Sequence, residues 1–195
     1  LNIKQGGKGQ VVDAAMVDGA SVLMSMFYAF KASGFWLEER ESNMLDGGAH
    51  FYDTYECSDG KFLAVGAIEP QFYSVLLEKL EISDEKFQNQ HDRNQWPDLK
   101  EIIKGKIKEK TRDEWANIFD GTDACVAPVL NLSEAPQHSH MKARNAFIDI
   151  DGTIQPAPAP RFSETVSKIK HSALKAGENN DEICAEYNLD RSCFS

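Results

Sequence analysis

The stretch FYDTYECSDGKFLAVGAIEPQFYSVLLEKL, residues 51–80, constrains the fold more than any other part of the chain. Two runs rich in aromatic and β-branched residues, FYDTYEC and KFLAVGA, are joined through SDG, and Asp59-Gly60 is the kind of pair that closes a tight hairpin. After the second run Pro70 marks the first turn of a helix, where its missing N–H would have found no intrahelical partner anyway. Phe72, Val75, Leu76 and Leu80 then recur as a core-facing stripe. A small α+β module follows, spanning roughly residues 42–145.

The flanks read differently. Residues 13–33 predict one helix, capped by Asp13 and ended by Gly34, with Met16, Ala20, Leu23, Phe27 and Phe30 at three- and four-residue steps. Val17, Val22, Met24 and Met26 cover its other faces, so it reads as a buried helix, covered by its own domain or by another subunit. Residues 83–120 read as amphipathic helices. Pro97 marks one start, and TRDEWANIF places Thr111 three residues before Glu114, the pattern of a capping box. GTDACVAPVLN returns to a short buried strand, and LSEAPQHSHMKARNAF gives a short helix and its exit. In QPAPAPRF each proline keeps its predecessor out of the helical region, which makes an extended arm. One short helix, NDEICAEYNL, is expected near the end. The organisation is therefore a linking strand and long helix (1–41), the small domain (42–145), and a return arm with a terminal helix (146–195).

Charge and cysteine content exclude several function classes. With 21 Lys and Arg against 31 Asp and Glu, a net charge of −10 disfavours nucleic acid as a partner. The one basic block, KGKIKEK, alternates with Ile and Glu as a solvated helix face does. Cys57, Cys125, Cys184 and Cys193 are too widely spread for a C-x-x-C pair and suit reduced thiols in an intracellular compartment. No metal site is expected, because His138 and His140 sit two apart with no further ligand set nearby. The apolar stretch before Gly34 is interrupted by Asp18 and falls short of the roughly 20 residues a membrane span needs, so no membrane partner is expected. The opening LNIKQGGKGQ has neither Met nor an apolar signal region, and it is expected to continue something longer.

Glu69, just before Pro70, is the candidate for chemistry. It can be an ordinary helix-start carboxylate, since a helix N-terminus favours an anion by roughly 0.3–1 kcal/mol. It can equally be an acid/base group. In the second case the helix end makes it a weaker base, better suited to orienting a neighbouring histidine. Gly47-Gly48 fits either a turn or a close approach of ligand to backbone. Phe51, Tyr52 and Tyr55 place one face of a strand in the core and leave the other to line a pocket. His50, alone in a loop, is expected at the surface. Met16, Met24 and Met26 suit helix core or an adaptable apolar lining.

Taken together, GKGQVVDAAMVDGAS, NMLDGGAHFYDTYECSDGKFLAVGAIEPQFY and IFDGTDACVAPVL resemble the C-terminal half of the racemase branch of the family III (CaiB/BaiF) CoA transferases. The resemblance covers most of residues 7–135 and is weak beyond about residue 136. The GAIEPQF stretch is characteristic of the racemases, and this chain has His50 where the family usually reads GGAP.

The resemblance implies a small mixed α/β domain of the family III fold with flanking helices, lacking the Rossmann-like domain that would precede Leu1. It implies racemisation at C2 of 2-methyl-branched acyl-CoA thioesters by removal and return of the α-proton through an enolate. No cofactor is required, because CoA is part of the substrate. Glu69 falls on the glutamate that assists a catalytic histidine, and Leu45, Tyr52 and Ile68 fall in the acyl pocket. The histidine, the opposing aspartate and most CoA contacts would precede this chain, which alone should be inactive. A homodimer, or a dimer with a full-length relative, is implied, as is a mitochondrial or peroxisomal setting. Family III CoA transfer, or a non-catalytic dimerisation partner, are the alternative functions.

Overall fold

The computed structural model of the chain describes residues 3–169 and 171–194. Residues up to Val129 form one compact unit and those from Leu130 a second. The first unit opens with α1 (Met16–Leu23) and α2 (Ser25–Ala32). The single Asp13-capped helix expected here is therefore two. Its N-cap is Ala15, extended and without a side-chain bond. At the break, Ser21 and Ser25 hydroxyls donate to the carbonyls of Val17 and Val22 at 2.8 and 2.6 Å, the back-bonding that loosens a helix. Gly34, at φ +75°, ends the pair as expected.

Neither helix buries a residue, and Met16 and Leu23 remain 90% and 81% exposed. Of the two covers expected for this pair, its own domain supplies none among the described residues, because the chain builds its core from later elements.

The hairpin forms where the sequence places it, as β1 (Tyr52–Glu56) and β2 (Phe62–Gly66) in antiparallel register from Tyr52↔Gly66 to Glu56↔Phe62. Gly60 takes φ +77° in its turn. Then follows α3 (Pro70–Lys79), whose core stripe is Tyr73 and Leu76, continued by Leu80; Phe72 and Val75 are only half-buried flanks. Both α4 (Trp96–Ile107) and α5 (Arg112–Phe119) pack on the same core, α4 through Trp96, Leu99, Ile103 and Ile107. Helix α5 carries the expected capping box between Thr111 and Glu114. Finally β3 (Val126–Pro128) adds to β2 with Leu63↔Pro128 and Val65↔Val126, giving the order β1-β2-β3.

Arg112, almost wholly buried, ties three of these elements together. Its guanidinium donates to Asp113 at 2.7 Å and to the Val129 carbonyl at 3.0 Å, while its backbone N–H reaches Asp59 in the hairpin turn at 3.3 Å.

The second unit contains α6 (Ser139–Ala143), a hairpin of β4 (Phe147–Ile150) and β5 (Thr153–Pro156), and α7 (Asn180–Tyr187). The hairpin is absent from the sequence reading. Its turn, Asp151-Gly152, takes φ +53° and +82°, and Gly152 N–H donates to Asp149 Oδ1 at 2.8 Å. Helix α7 ends at Asn188 in the left-handed region.

Candidate functional site

Glu69 is the N-cap of α3, with extended backbone (φ −74°, ψ 142°) and no cap hydrogen bond from its side chain. Pro70, next in line, has no N–H to offer it. The carboxylate is exposed and uncommitted at a helix start. It stands at the end of a strand-to-helix turn in which Ala67 N–H donates to Phe51 O at 3.0 Å and Ile68 N–H to Gly66 O at 3.0 Å.

Tyr52, half-buried at the edge of the core, is paired with Gly66 and has its ring against it; a Cβ on Gly66 would meet Tyr52 Cε2 at 3.7 Å. Gly66 N–H donates to Cys125 O at 2.9 Å. Cys125 is exposed and held at φ +52°, a conformation uncommon for a residue with a side chain. Tyr52, Cys125, Thr54, Ala64, Asp46 and Gly47 line an open depression of 430 Å³. Partial burial raises the Cys125 thiol above its ordinary range, and the carboxylates of Glu69 and Asp123 raise it further. The charge of Glu69 is thus felt at this depression, and the sulfur keeps its proton at neutral pH.

Leu45 lies elsewhere. It lines a neighbouring apolar cavity of 340 Å³ with Phe30, Trp36, Met44, His91 and Trp96. Ile68 is half-buried and packs against the core. Tyr52 thus shares a depression with Gly66 and Cys125, Glu69 follows Gly66 by three residues at the start of α3, and Leu45 lines a different cavity, one residue from Asp46.

The loop between these cavities is rigidly built. Asn43, buried, exchanges bonds with Leu37 (2.8 and 3.0 Å) and donates its side-chain amide to Asp46 at 2.7 Å. Burial pushes the Asp46 carboxyl up, but bonds from Asn43 and from the backbone of Gly48 together hold it below the usual range. A Cβ on Gly48 would sit 2.7 Å from Asn43 O and 2.8 Å from Glu41 O. Of the two readings of Gly47-Gly48, a turn against the chain's own backbone is what Gly48 provides. Lys100 from α4 pairs with Asp53 at 2.5 Å and also reaches the Gly47 carbonyl, clasping the loop to β1.

His50 is not at the surface, which corrects the sequence expectation. It is fully buried, with Nε2 2.7 Å from the Tyr73 hydroxyl and the rings of Phe51 and Phe87 edge-on at 5.1 and 5.7 Å. Its Nδ1 has no hydrogen-bond partner. Burial, with a smaller contribution from His91, lowers the imidazole to about 4, so the ring is neutral. A sealed imidazole cannot partner an outward-facing carboxylate. Burial also raises the Tyr73 phenol well above its ordinary value. Among the described residues no group of three or more His, Cys, Asp or Glu is placed to hold a metal ion, and no helix is long and apolar enough to cross a membrane.

Residues 1–180 match CoA-transferase family III, so the likeness continues well past residue 136, where the motifs thin out. The chain is 43% identical over 188 residues to the alpha-methylacyl-CoA racemases of Homo sapiens and Mus musculus, covering 95% of this chain and 49% of theirs. A CaiB/baiF CoA-transferase family protein of Caenorhabditis elegans is 32% identical over 157 residues, covering 80% of this chain and 44% of its own. Among solved structures, a CAIB/BAIF family protein from Brucella suis superimposes with a TM-score of 0.66 at 25% identity, covering 94% of this chain and 49% of that one. The chain spans about half the length of the curated relatives it matches.

Proposed function

The chain belongs to CoA-transferase family III, and from that premise we propose that it is the C-terminal part of an enzyme that racemises 2-methyl-branched acyl-CoA thioesters. The reading is carried by the 43% identity to racemases across 95% of the chain. The exposed, uncommitted carboxylate of Glu69 at the start of α3 supports it.

In this reading a base removes the α-proton, whose acidity the thioester carbonyl supplies, and the electron pair moves onto the carbonyl oxygen as an enolate. A second group returns a proton from the opposite face. Glu69 orients a histidine on one face and stabilises its imidazolium, and an aspartate serves the other; both partners lie in the half of the enzyme outside this chain. Tyr52 and Leu45 border the acyl group, and Ile68 acts from just before Glu69. The exposed surface of α1 and α2 contacts a second subunit, either another copy or a full-length relative.

Wash-in of deuterium at C2 of a 2-methylacyl-CoA tests the reading. The complete enzyme carrying this chain exchanges the α-proton, while the 195-residue chain alone does not. Transfer of CoA between two carboxylic acids without α-exchange would instead identify a CoA transferase.

A further inference from the structure

Gln90 lies in a turn between α3 and α4, yet it is almost fully buried. Its side-chain amide nitrogen donates to two successive carbonyls, Ala67 at 3.0 Å and Ile68 at 2.9 Å. Only the nitrogen end of the amide can face two acceptors, so the orientation of the group is determined by the chain around it. Gln90 is itself held: its backbone carbonyl accepts from the indole N–H of Trp96 at 2.8 Å, and Trp96 is buried at the start of α4.

The Ile68 carbonyl belongs to the same planar peptide unit as the Glu69 nitrogen. Fixing that oxygen fixes the plane from which the Glu69 side chain departs. The Ala67 unit is bonded on both sides, through its N–H to Phe51 and its carbonyl to Gln90. On the other side Pro70 restricts the chain immediately after Glu69. The strand-to-helix turn is thus anchored to α4 by one side chain.

We propose that Gln90 is a positioning residue for Glu69, transmitting the placement of α4 to the carboxylate through the Ala67 and Ile68 carbonyls. The proposal rests on reading Glu69 as part of the proton-transfer machinery. Gln90→Met keeps the approximate length of the side chain and the Trp96 bond to the backbone carbonyl, and replaces the amide, with the N–H donors to Ala67 and Ile68, by a thioether.

In the complete enzyme, Gln90→Met is expected to lower kcat for α-proton exchange about tenfold to a hundredfold, with KM changed less than about twofold, because misplacement of a reacting group costs rate rather than binding. In a Glu69→Gln background the same substitution is expected to cost nothing further. A Glu69→Gln enzyme of full activity overturns the reading of Glu69 and this proposal with it. A slow Glu69→Gln enzyme that Gln90→Met slows again by the same factor overturns the positioning role alone. In the 195-residue chain, amide exchange in residues 67–73 should rise at least about fivefold in Gln90→Met while residues 99–107 stay protected. No change at 67–73, or loss of protection throughout, would also overturn it.

Discussion

The Tyr73 hydroxyl lies 2.7 Å from Nε2 of His50 inside the core, joining α3 to the loop that precedes β1. The imidazole is neutral there because protonation would place a charge among Phe51, Phe87 and Tyr73. Its ordinary value of 6.5 falls to about 4 on folding. Between those two values the unfolded chain binds a proton that the folded chain refuses, so stability is lost as pH drops from about 6.5 to about 4 and levels off below. The loss is on the order of 3 kcal/mol. Urea unfolding at pH 7 and pH 4 measures most of it. His50→Gln, which cannot be protonated in this range, should flatten the slope; an unchanged slope would show that another group carries it.

Gly48→Ala and Gly105→Ala should move stability in opposite directions. At Gly48 the new methyl meets backbone atoms of Asn43 and Glu41 at 2.7–2.8 Å, and the loop cannot yield without breaking the Asn43–Asp46 bonds. A loss of about 2 to 4 kcal/mol follows. Gly105 lies within α4 and faces open space, so alanine there should gain about 0.5 to 1 kcal/mol. Thermal unfolding of the two variants reads both signs.

Glu69→Gln should leave folding alone. The carboxylate caps nothing, so the stability change stays within about 0.5 kcal/mol, while α-proton exchange by the complete enzyme falls at least about a hundredfold. A variant that melts many degrees lower would mean that Glu69 is chiefly a structural residue.

The same substitution has a readout next door. Because the charge of Glu69 raises the Cys125 thiol, removing it should increase the thiolate fraction at pH 8 and speed alkylation of Cys125 about two- to threefold. The rate of iodoacetamide labelling, followed by mass of the Cys125 peptide, decides it. Equal rates would place the two side chains too far apart to share a site.

Exposed Met16, Val17, Val22 and Leu23 give α1 an apolar surface of a kind monomeric proteins rarely leave open. Sedimentation of the chain over a range of concentrations should show association, weakened by Met16→Glu with Leu23→Glu. A chain monomeric at all concentrations would assign this surface to the remainder of the enzyme.

What could be read from the sequence was mostly local. Asp59-Gly60, Pro70 and the Thr111–Glu114 pair each encode a turn or a helix start within four residues, and each forms as read. Asp151-Gly152 carries the same turn signal as Asp59-Gly60, but its four-residue strands end at Pro156 and merge with the proline-rich run. The placement of Glu69 followed from Pro70. The burial of His50 and the grip of Gln90 did not, because each depends on groups more than twenty residues away. Nor does any local pattern announce the left-handed backbone at Cys125, where a β-strand residue is what ACVAPVL would suggest. The apolar character of α1 and α2 called for a cover, and no local pattern says that the described residues of the chain leave both helices exposed.

The ties made by Arg112 bear on the order in which the domain assembles. The β1–β2 hairpin and α3 involve neighbours along the chain and can form as soon as they are synthesised. Strand β3 joins β2 only after α4 and α5 have been threaded between them, and closing so long a loop is entropically costly and slow. Once it closes, one residue holds the hairpin turn through its backbone N–H and, through its guanidinium, Asp113 at the start of α5 and the residue after β3, so these contacts mark the completion of the sheet, and a lysine at position 112 could not replace the fork that spans the last two.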